Sequence, residues 1–186
     1  MSEYTKTPPF RAAFANVITP KQPKTEGKKP RFELVALFDA DADLTGLKKA
    51  AKAAIEEKWP DEKKRPKNLK SPFRDQGDQE YEGFKEGNIY VNMWSYEKPA
   101  VVGSEKVDGK FIHLDEDEFY SGCFAHAKVK PFCYDVDGNR GVAFYMGNIQ
   151  KIKDGERLGG GRANPEDDFE AAESEAGSSD DDDLFG

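Results

Sequence analysis

Apolar and polar positions alternate with a period of two over several short stretches, the signature of strands that bury one face. In residues 31–38, Phe32, Leu34, Ala36 and Phe38 share one face, and Arg31, Glu33, Val35 and Leu37 share the other. Residues 10–18 mix aromatic and β-branched side chains and stop at Thr19-Pro20. Residues 88–96 set Ile89, Val91 and Met93 against Tyr90, Asn92, Trp94 and Tyr96. Short strands at Val101-Val102 and 110–114 flank a Val107-Asp108-Gly109 turn, and residues 122–134 and 141–153 form a final hairpin around Asp137-Gly138. One stretch changes period. Leu44, Leu47, Ala51, Ala54 and Ile55 recur at helical spacing, with Asp43 as the expected N-cap and Pro60 as the stop. Residues 61–87, rich in charge with Pro66, Pro72 and three glycines, read as a long loop, a kind that is usually functional or mobile.

Five or more short strands around one helix predict a mostly β fold, a small barrel or sandwich. On size, a five-stranded barrel like the oligonucleotide-binding (OB) fold, with one inserted helix, fits best. A chain of 186 residues with 37% hydrophobic content can fill one core, hardly two. The expected organisation is a flexible arm over residues 1–9, one OB-like domain over 10–161 and a disordered acidic tail over 162–186. The longest apolar run, Leu34 to Phe38, is far too short to span a bilayer, and Met1-Ser2-Glu3-Tyr4 opens no export signal. Two cysteines, Cys123 and Cys133, make no disulfide framework. A soluble cytoplasmic protein, with no membrane partner, is the expectation.

The net charge of -8 argues against a polyanionic ligand until it is divided along the chain. Residues 165–186 hold ten acids and no Lys or Arg, which leaves residues 1–164 at +2. Residues 1–74 alone carry 17 basic and 10 acidic side chains. The chain therefore has a basic front and a polyanionic end. Two basic loops dominate the front: residues 21–30, with Lys21, Lys24, Lys28 and Lys29, and Lys63-Lys64-Arg65-Pro66-Lys67 followed by Lys70 and Arg74.

Alternation assigns the aromatic chemistry. In residues 123–134, Cys123, Ala125, Ala127, Val129, Pro131 and Cys133 form a small apolar face suited to a tight interior. Phe124, His126, Lys128, Lys130, Phe132 and Tyr134 then point outward. Bases stack on such rings while lysines neutralise phosphates, with about 1–3 kcal/mol for each stacked base. The Tyr90, Trp94 and Tyr96 row carries the same logic; the alternative use of either row is packing under the 61–87 loop or in a homodimer. The candidate nucleic-acid contacts are thus Lys21, Lys24, Lys28, Lys29, Arg31, Lys67 and Arg74 for charge. To these are added Tyr90, Trp94, Tyr96, His126, Lys128, Lys130, Phe132, Tyr134 and Arg140. No recognition helix or zinc-finger spacing is present, so single strands are the expected ligand and duplex binding is expected to be weaker.

Other chemistry finds little support. Asp39-x-Asp41-x-Asp43 lacks the glycine and the distal glutamate of a calcium loop, and acids crowding a helix N-terminus explain it. His113, Cys123, His126 and Cys133 match no common zinc spacing, and Cys123 and His126 fall on opposite strand faces. With no phosphate-loop motif and no nucleophile partnered with either histidine, the reading is a non-enzyme without metal or cofactor. Gly159-Gly160-Gly161 reads as a hinge. A metal-dependent nuclease built on Asp39, Asp41 and Asp43 is the remote competitor. A nearer one is an acidic interaction adaptor that never touches DNA.

The tail ends Asp180-Asp181-Asp182-Asp183-Leu184-Phe185-Gly186, two apolar residues directly behind four acids. That composition suits a docking plug steered by charge, and a tethered polyanion also competes with DNA at high effective concentration. Tyr120-Ser121-Gly122-Cys123, Lys128-Val129-Lys130-Pro131-Phe132-Cys133-Tyr134-Asp135, Asp137-Gly138-Asn139-Arg140-Gly141-Val142 and Asn148-Ile149-Gln150-Lys151-Ile152-Lys153-Asp154-Gly155-Glu156-Arg157-Leu158-Gly159-Gly160 resemble a family of single-stranded-DNA-binding proteins of tailed phages. Asn16-Val17, the strand ending at Phe38 and the Ala-Lys helix are also similar. The resemblance implies an OB fold, no cofactor, and action in phage replication and recombination in the cytoplasm of an infected bacterium. Replication proteins, such as a polymerase or helicase, are the expected partners of the tail. In related tails the aromatic residue is last, whereas here Gly186 follows Phe185.

Overall fold

The computed structural model describes residues 3–158. In chain order its elements are β1 (Thr5–Lys6), β2 (Phe10–Lys21), β3 (Arg31–Phe38), α1 (Thr45–Lys58), β4 (Arg74–Asp75) and β5 (Ile89–Ser95). The hairpin of β6 (Val101–Val107) and β7 (Lys110–His113) follows, then the hairpin of β8 (Phe124–Val136) and β9 (Asn139–Lys153). Five strands close a ring through the pairings β2–β3, β3–β5, β5–β9, β9–β8 and β8–β2. The β5–β9 contact is parallel and the other four are antiparallel. Numbered along the chain, the ring strands run 1-2-3-5-4-1, a Greek-key order of the OB type.

Inward residues alternate as the sequence pattern requires. Leu34, Phe38, Val91, Met93, Ala125, Val129, Phe144 and Ile149 are buried in one continuous core. Each large aliphatic or aromatic side chain so buried contributes roughly 1.5–3 kcal/mol. Helix α1 adds Leu47 and Ala51 to this core. Its start differs by one step from expectation: Leu44 occupies the cap position, and the Asp43 carboxylate accepts the Thr45 N–H at 3.0 Å from one residue earlier. The Thr45 side chain first, and this N–H second, hold the Asp43 carboxyl below its ordinary range.

Both hairpin turns owe their shape to left-handed residues. Asp108 and Gly109 have φ of 52° and 79°, and Asp137 and Gly138 have 51° and 81°, the conformation that two-residue turns of matching twist demand. Strand β2 runs past the expected stop at Pro20 to Lys21, because its pairing with β3 is irregular beyond Asn16 and no ladder donor is required there. Thr5–Lys6, within the stretch expected as an arm, pairs with β8, and the buried Thr7 hydroxyl accepts the Ala127 N–H.

The 61–87 segment is more ordered than a loop of its composition suggests. Its β4 pairs with β5, and the Lys70 N–H donates to the Arg140 carbonyl at 2.9 Å. Gln76, 1% exposed, is its anchor. The Gln76 amide donates to the Phe38 and Ile89 carbonyls at 3.1 and 2.9 Å and accepts the Lys85 N–H at 2.9 Å. A glutamine amide has both donor and acceptor ends, so one side chain ties β3, β5 and the loop together.

Candidate nucleic-acid interface

The ring brings outward residues of four strands into one row. Register pairs Glu33 with Trp94, Trp94 with Tyr145 and Tyr145 with Lys130, so these four lie side by side across β3, β5, β9 and β8. Neighbouring strands are about 4.8 Å apart, which gives the row a length of about 14 Å. The rings within it touch. Phe132 stacks on Tyr145 with centroids 3.9 Å apart and planes at 19°, and Trp94 meets Phe132, Tyr145 and Tyr96 edge-on at 5.6, 5.0 and 5.1 Å. The Arg31 guanidinium lies 5.0 Å from the Trp94 ring centroid, a cation–π contact. Tyr96, at the edge of the group, is 57% exposed.

The β2–β3 loop adjoins this platform. Lys21, Lys24, Lys28, Lys29, Arg31, Glu33 and Tyr96 line one open depression of about 910 Å³. Within it Glu33 is bracketed by cations: its carboxylate lies 3.0 Å from Lys21 Nζ and 3.1 Å from Arg31 Nε. A second recess of about 360 Å³ runs on from Trp94 past Asn92 and Arg74 to Phe14, Tyr81 and Phe84. The face of ring strands 2 and 3, with the loop between strands 1 and 2, is where OB folds commonly hold oligonucleotides. Here those parts are β3, β5 and the lysine loop.

The expected residues divide accordingly. Lys21, Lys24, Lys28, Lys29, Arg31, Arg74, Trp94 and Tyr96 line the two depressions, Phe132 completes the aromatic group, and Lys130 is paired to Tyr145. Tyr134 and Arg140 lie towards the β8–β9 turn, where Arg140 pairs with Asp135 at 3.0 Å. Lys67 is exposed on the 61–87 segment. His126 and Lys128 share the outward face of β8 but belong elsewhere, in a groove beside the β6–β7 hairpin with His113 and Phe111. There His126 Nε2 is 2.5 Å from Gln150 Oε1.

Tyr90 corrects the expectation of a solvent-facing row. It is 4% exposed and covered by Phe84, with ring centroids 5.5 Å apart, because the 61–87 segment folds over that end of β5. Tyr145, Glu33, Phe14 and Tyr81 were not anticipated. For Tyr145 the signal was present: Val142, Phe144 and Met146 alternate inward on β9, which leaves Tyr145 outward by parity.

Among the described residues no group of three or more His, Cys, Asp or Glu side chains is gathered as metal ligands would be. No helix among them is long and apolar enough to cross a membrane. Asp180 to Phe185, and the expected glycine hinge, lie outside the described residues.

The family model described as the Enterobacter phage Enc34 ssDNA-binding protein matches residues 4–184. The chain belongs to this family. The putative protein p50 of Acyrthosiphon pisum secondary endosymbiont phage 1 is 30% identical over 179 residues, 89% of this chain and 93% of that protein. The structure of the bacteriophage Enc34 single-stranded DNA-binding protein in complex with ssDNA superposes with a TM-score of 0.64 at 18% identity, covering 84% of this chain and 89% of that one. The bacteriophage T7 single-stranded DNA binding protein gp2.5 gives a TM-score of 0.56 at 14% identity, covering 91% of this chain and 98% of that one. The last two likenesses concern the fold.

Proposed function

We propose that this chain is a non-enzymatic, non-sequence-specific binder of single-stranded DNA that acts in phage replication and recombination in the host cytoplasm. The observation that carries the reading is the convergence of Trp94, Phe132 and Tyr145 on one open face beside Arg31 and the lysine loop. Stacked rings accept any base, and the lysines accept any phosphate, so the face needs no sequence. Duplex DNA hides its base faces and would bind more weakly.

The acidic tail acts on the same face. The described residues end at Leu158, which clusters with Ala13, Leu37 and Tyr90 and lines one depression with Phe14 and Lys21. Eight further residues span at most about 29 Å, a length sufficient for the acids from Glu166 onward to meet the lysine loop, whose Lys21 shares that depression. The tail therefore competes with DNA, and Asp180 to Asp183 with Leu184 and Phe185 recruit a replication protein when DNA displaces them. Charge competition of this kind is screened by salt.

The test is a fluorescence anisotropy titration of single- and double-stranded oligonucleotides with the full chain and with one ending at residue 164. The single strand should bind more tightly than the duplex, with an affinity that falls steeply with salt, and truncation should tighten binding. An unchanged or lower affinity on truncation would refute the competing tail. Failure of the truncated chain to bind any oligonucleotide at low salt would refute DNA binding and favour an acidic adaptor.

A further inference from the structure

We infer that Tyr81, backed by Phe14 and Phe84, is a second base-stacking station on the single strand, separate from the Trp94 platform; the inference rests on the reading proposed above. Four aromatic rings rise in contact from β5. Tyr90 meets Phe84 at 5.5 Å, Phe84 meets Tyr81 at 5.4 Å, and Tyr81 meets Phe14 at 5.0 Å. Tyr90 at the bottom is buried, whereas Tyr81 at the top is 51% exposed. Packing alone accounts for the buried end of this pile and leaves the exposed end unexplained.

Backbone conformation points the same way. Phe14 has φ of 46°, a left-handed value that a bulky residue adopts at a strain, and the β2–β3 register shifts between Ala13 and Asn16. The resulting bulge departs from the strand's alternation where the Phe14 ring meets Tyr81. Strain of this kind gathers at ligand sites, where surrounding structure holds it in place.

The two stations belong to one path. Tyr81, Phe14, Arg74, Asn92 and Trp94 line a single recess of about 360 Å³, so a strand leaving Trp94 passes an arginine for phosphate and an amide for base edges before it reaches Tyr81. Tyr90, at the foot of the second pile, and Trp94 are four residues apart on β5, which is about 13 Å. Successive bases in a stacked strand are about 3.4 Å apart. A dinucleotide therefore occupies one station and cannot bridge both, whereas a longer strand does.

Length dependence supplies the test. The full chain and its Tyr81→Ala, Tyr81→Phe and Trp94→Ala variants are titrated with labelled dT15. The wild type and Tyr81→Ala are also titrated with the dinucleotide dTdT, followed by the NMR shift of the Trp94 indole. Tyr81→Ala should weaken dT15 binding by about 5- to 150-fold, Tyr81→Phe should retain it, and dTdT binding should be the same in wild type and Tyr81→Ala. If Tyr81→Ala binds dT15 like the wild type while Trp94→Ala loses affinity, the second station does not exist and the proposed function stands. Equal loss for dT15 and dTdT would mean that Tyr81 only supports the Trp94 platform, which also overturns the inference. If Trp94→Ala leaves dT15 binding unchanged, the proposed DNA face is wrong and the second station falls with it.

Discussion

Glu33 is a carboxylate in the middle of a surface proposed to hold phosphates, and replacing it with glutamine should tighten DNA binding. Its oxygens lie 3.0 Å from Lys21 Nζ and 3.1 Å from Arg31 Nε, so both cations are partly neutralised before DNA arrives. A phosphate accepting from either cation would stand about 6 Å from the carboxylate, one ion-pair length beyond the first. Two unit charges at that distance repel by about 0.7 kcal/mol in water and by about 2.8 kcal/mol at an effective dielectric constant of 20. The Lys21 and Arg31 side chains are 56% and 45% exposed and Glu33 19%, so the aqueous value is the floor for this repulsion. Screening at 0.1 M salt reduces the figure to about 0.4 kcal/mol per phosphate. With a phosphate at each cation the total is about 0.8 kcal/mol, or about fourfold in affinity. Glu33→Gln should also steepen the plot of log affinity against log salt by about 0.7 for each cation released to a phosphate. Fold stability should fall by no more than about 1 kcal/mol, because the lost ion pairs are largely solvated. The assay is anisotropy with a labelled single strand at several salt concentrations, alongside urea unfolding of each protein. A weaker affinity with a shallower salt slope would refute the reasoning and show that Glu33 positions the two cations instead of occupying them.

Three further outcomes follow from the packing. Gln76→Leu deprives the Phe38 and Ile89 carbonyls and the Lys85 N–H of their partner in a buried site, so it should cost about 3 kcal/mol in urea unfolding. Gly122→Ala should destabilise by more than an ordinary Gly-to-Ala exchange: φ there is 116°, and a Cβ would collide with the Glu156 carbonyl, a clash read as a fall in the thermal midpoint. Burial pushes both cysteine thiols above their ordinary range. Cys123 is fully buried and Cys133 only half so, so a thiol reagent at pH 8 should label Cys133 first, and Cys123 should react at a comparable rate only after unfolding, as mass spectrometry would reveal.

Sequence patterning carried the elements well where one face of a strand is buried, because a period of two leaves little freedom. Leu34 and Phe38 had to face inward, and once they did, Arg31 and Glu33 had to face out. The same rule marked Trp94 and Phe132 as outward residues. Parity within a strand says nothing, however, about which strands become neighbours. The contact of Trp94 with Tyr145 depends on a parallel β5–β9 pairing, and these strands are separated in the chain by two hairpin strands and β8. His126 shows the reverse: it has the same parity as Phe132, yet the length of β8 carries it to a different groove.

Tyr90 and Tyr81 show why a charged, glycine-rich segment could not be read locally. Tyr90 has the outward parity of Trp94, and its burial is imposed by a segment whose composition favours solvent. That segment is held down chiefly by Gln76, whose hydrogen bonds reach Phe38 on β3, 38 residues away, as well as Ile89 and Lys85. Folding it over β5 exchanges one exposed ring for another: Tyr90 is covered, and Tyr81 takes the surface position above it. The aromatic face is thereby extended beyond the strands onto a loop. On the proposed reading a pliant strand would meet one stacking platform fixed by the rigid ring and a second carried by the loop.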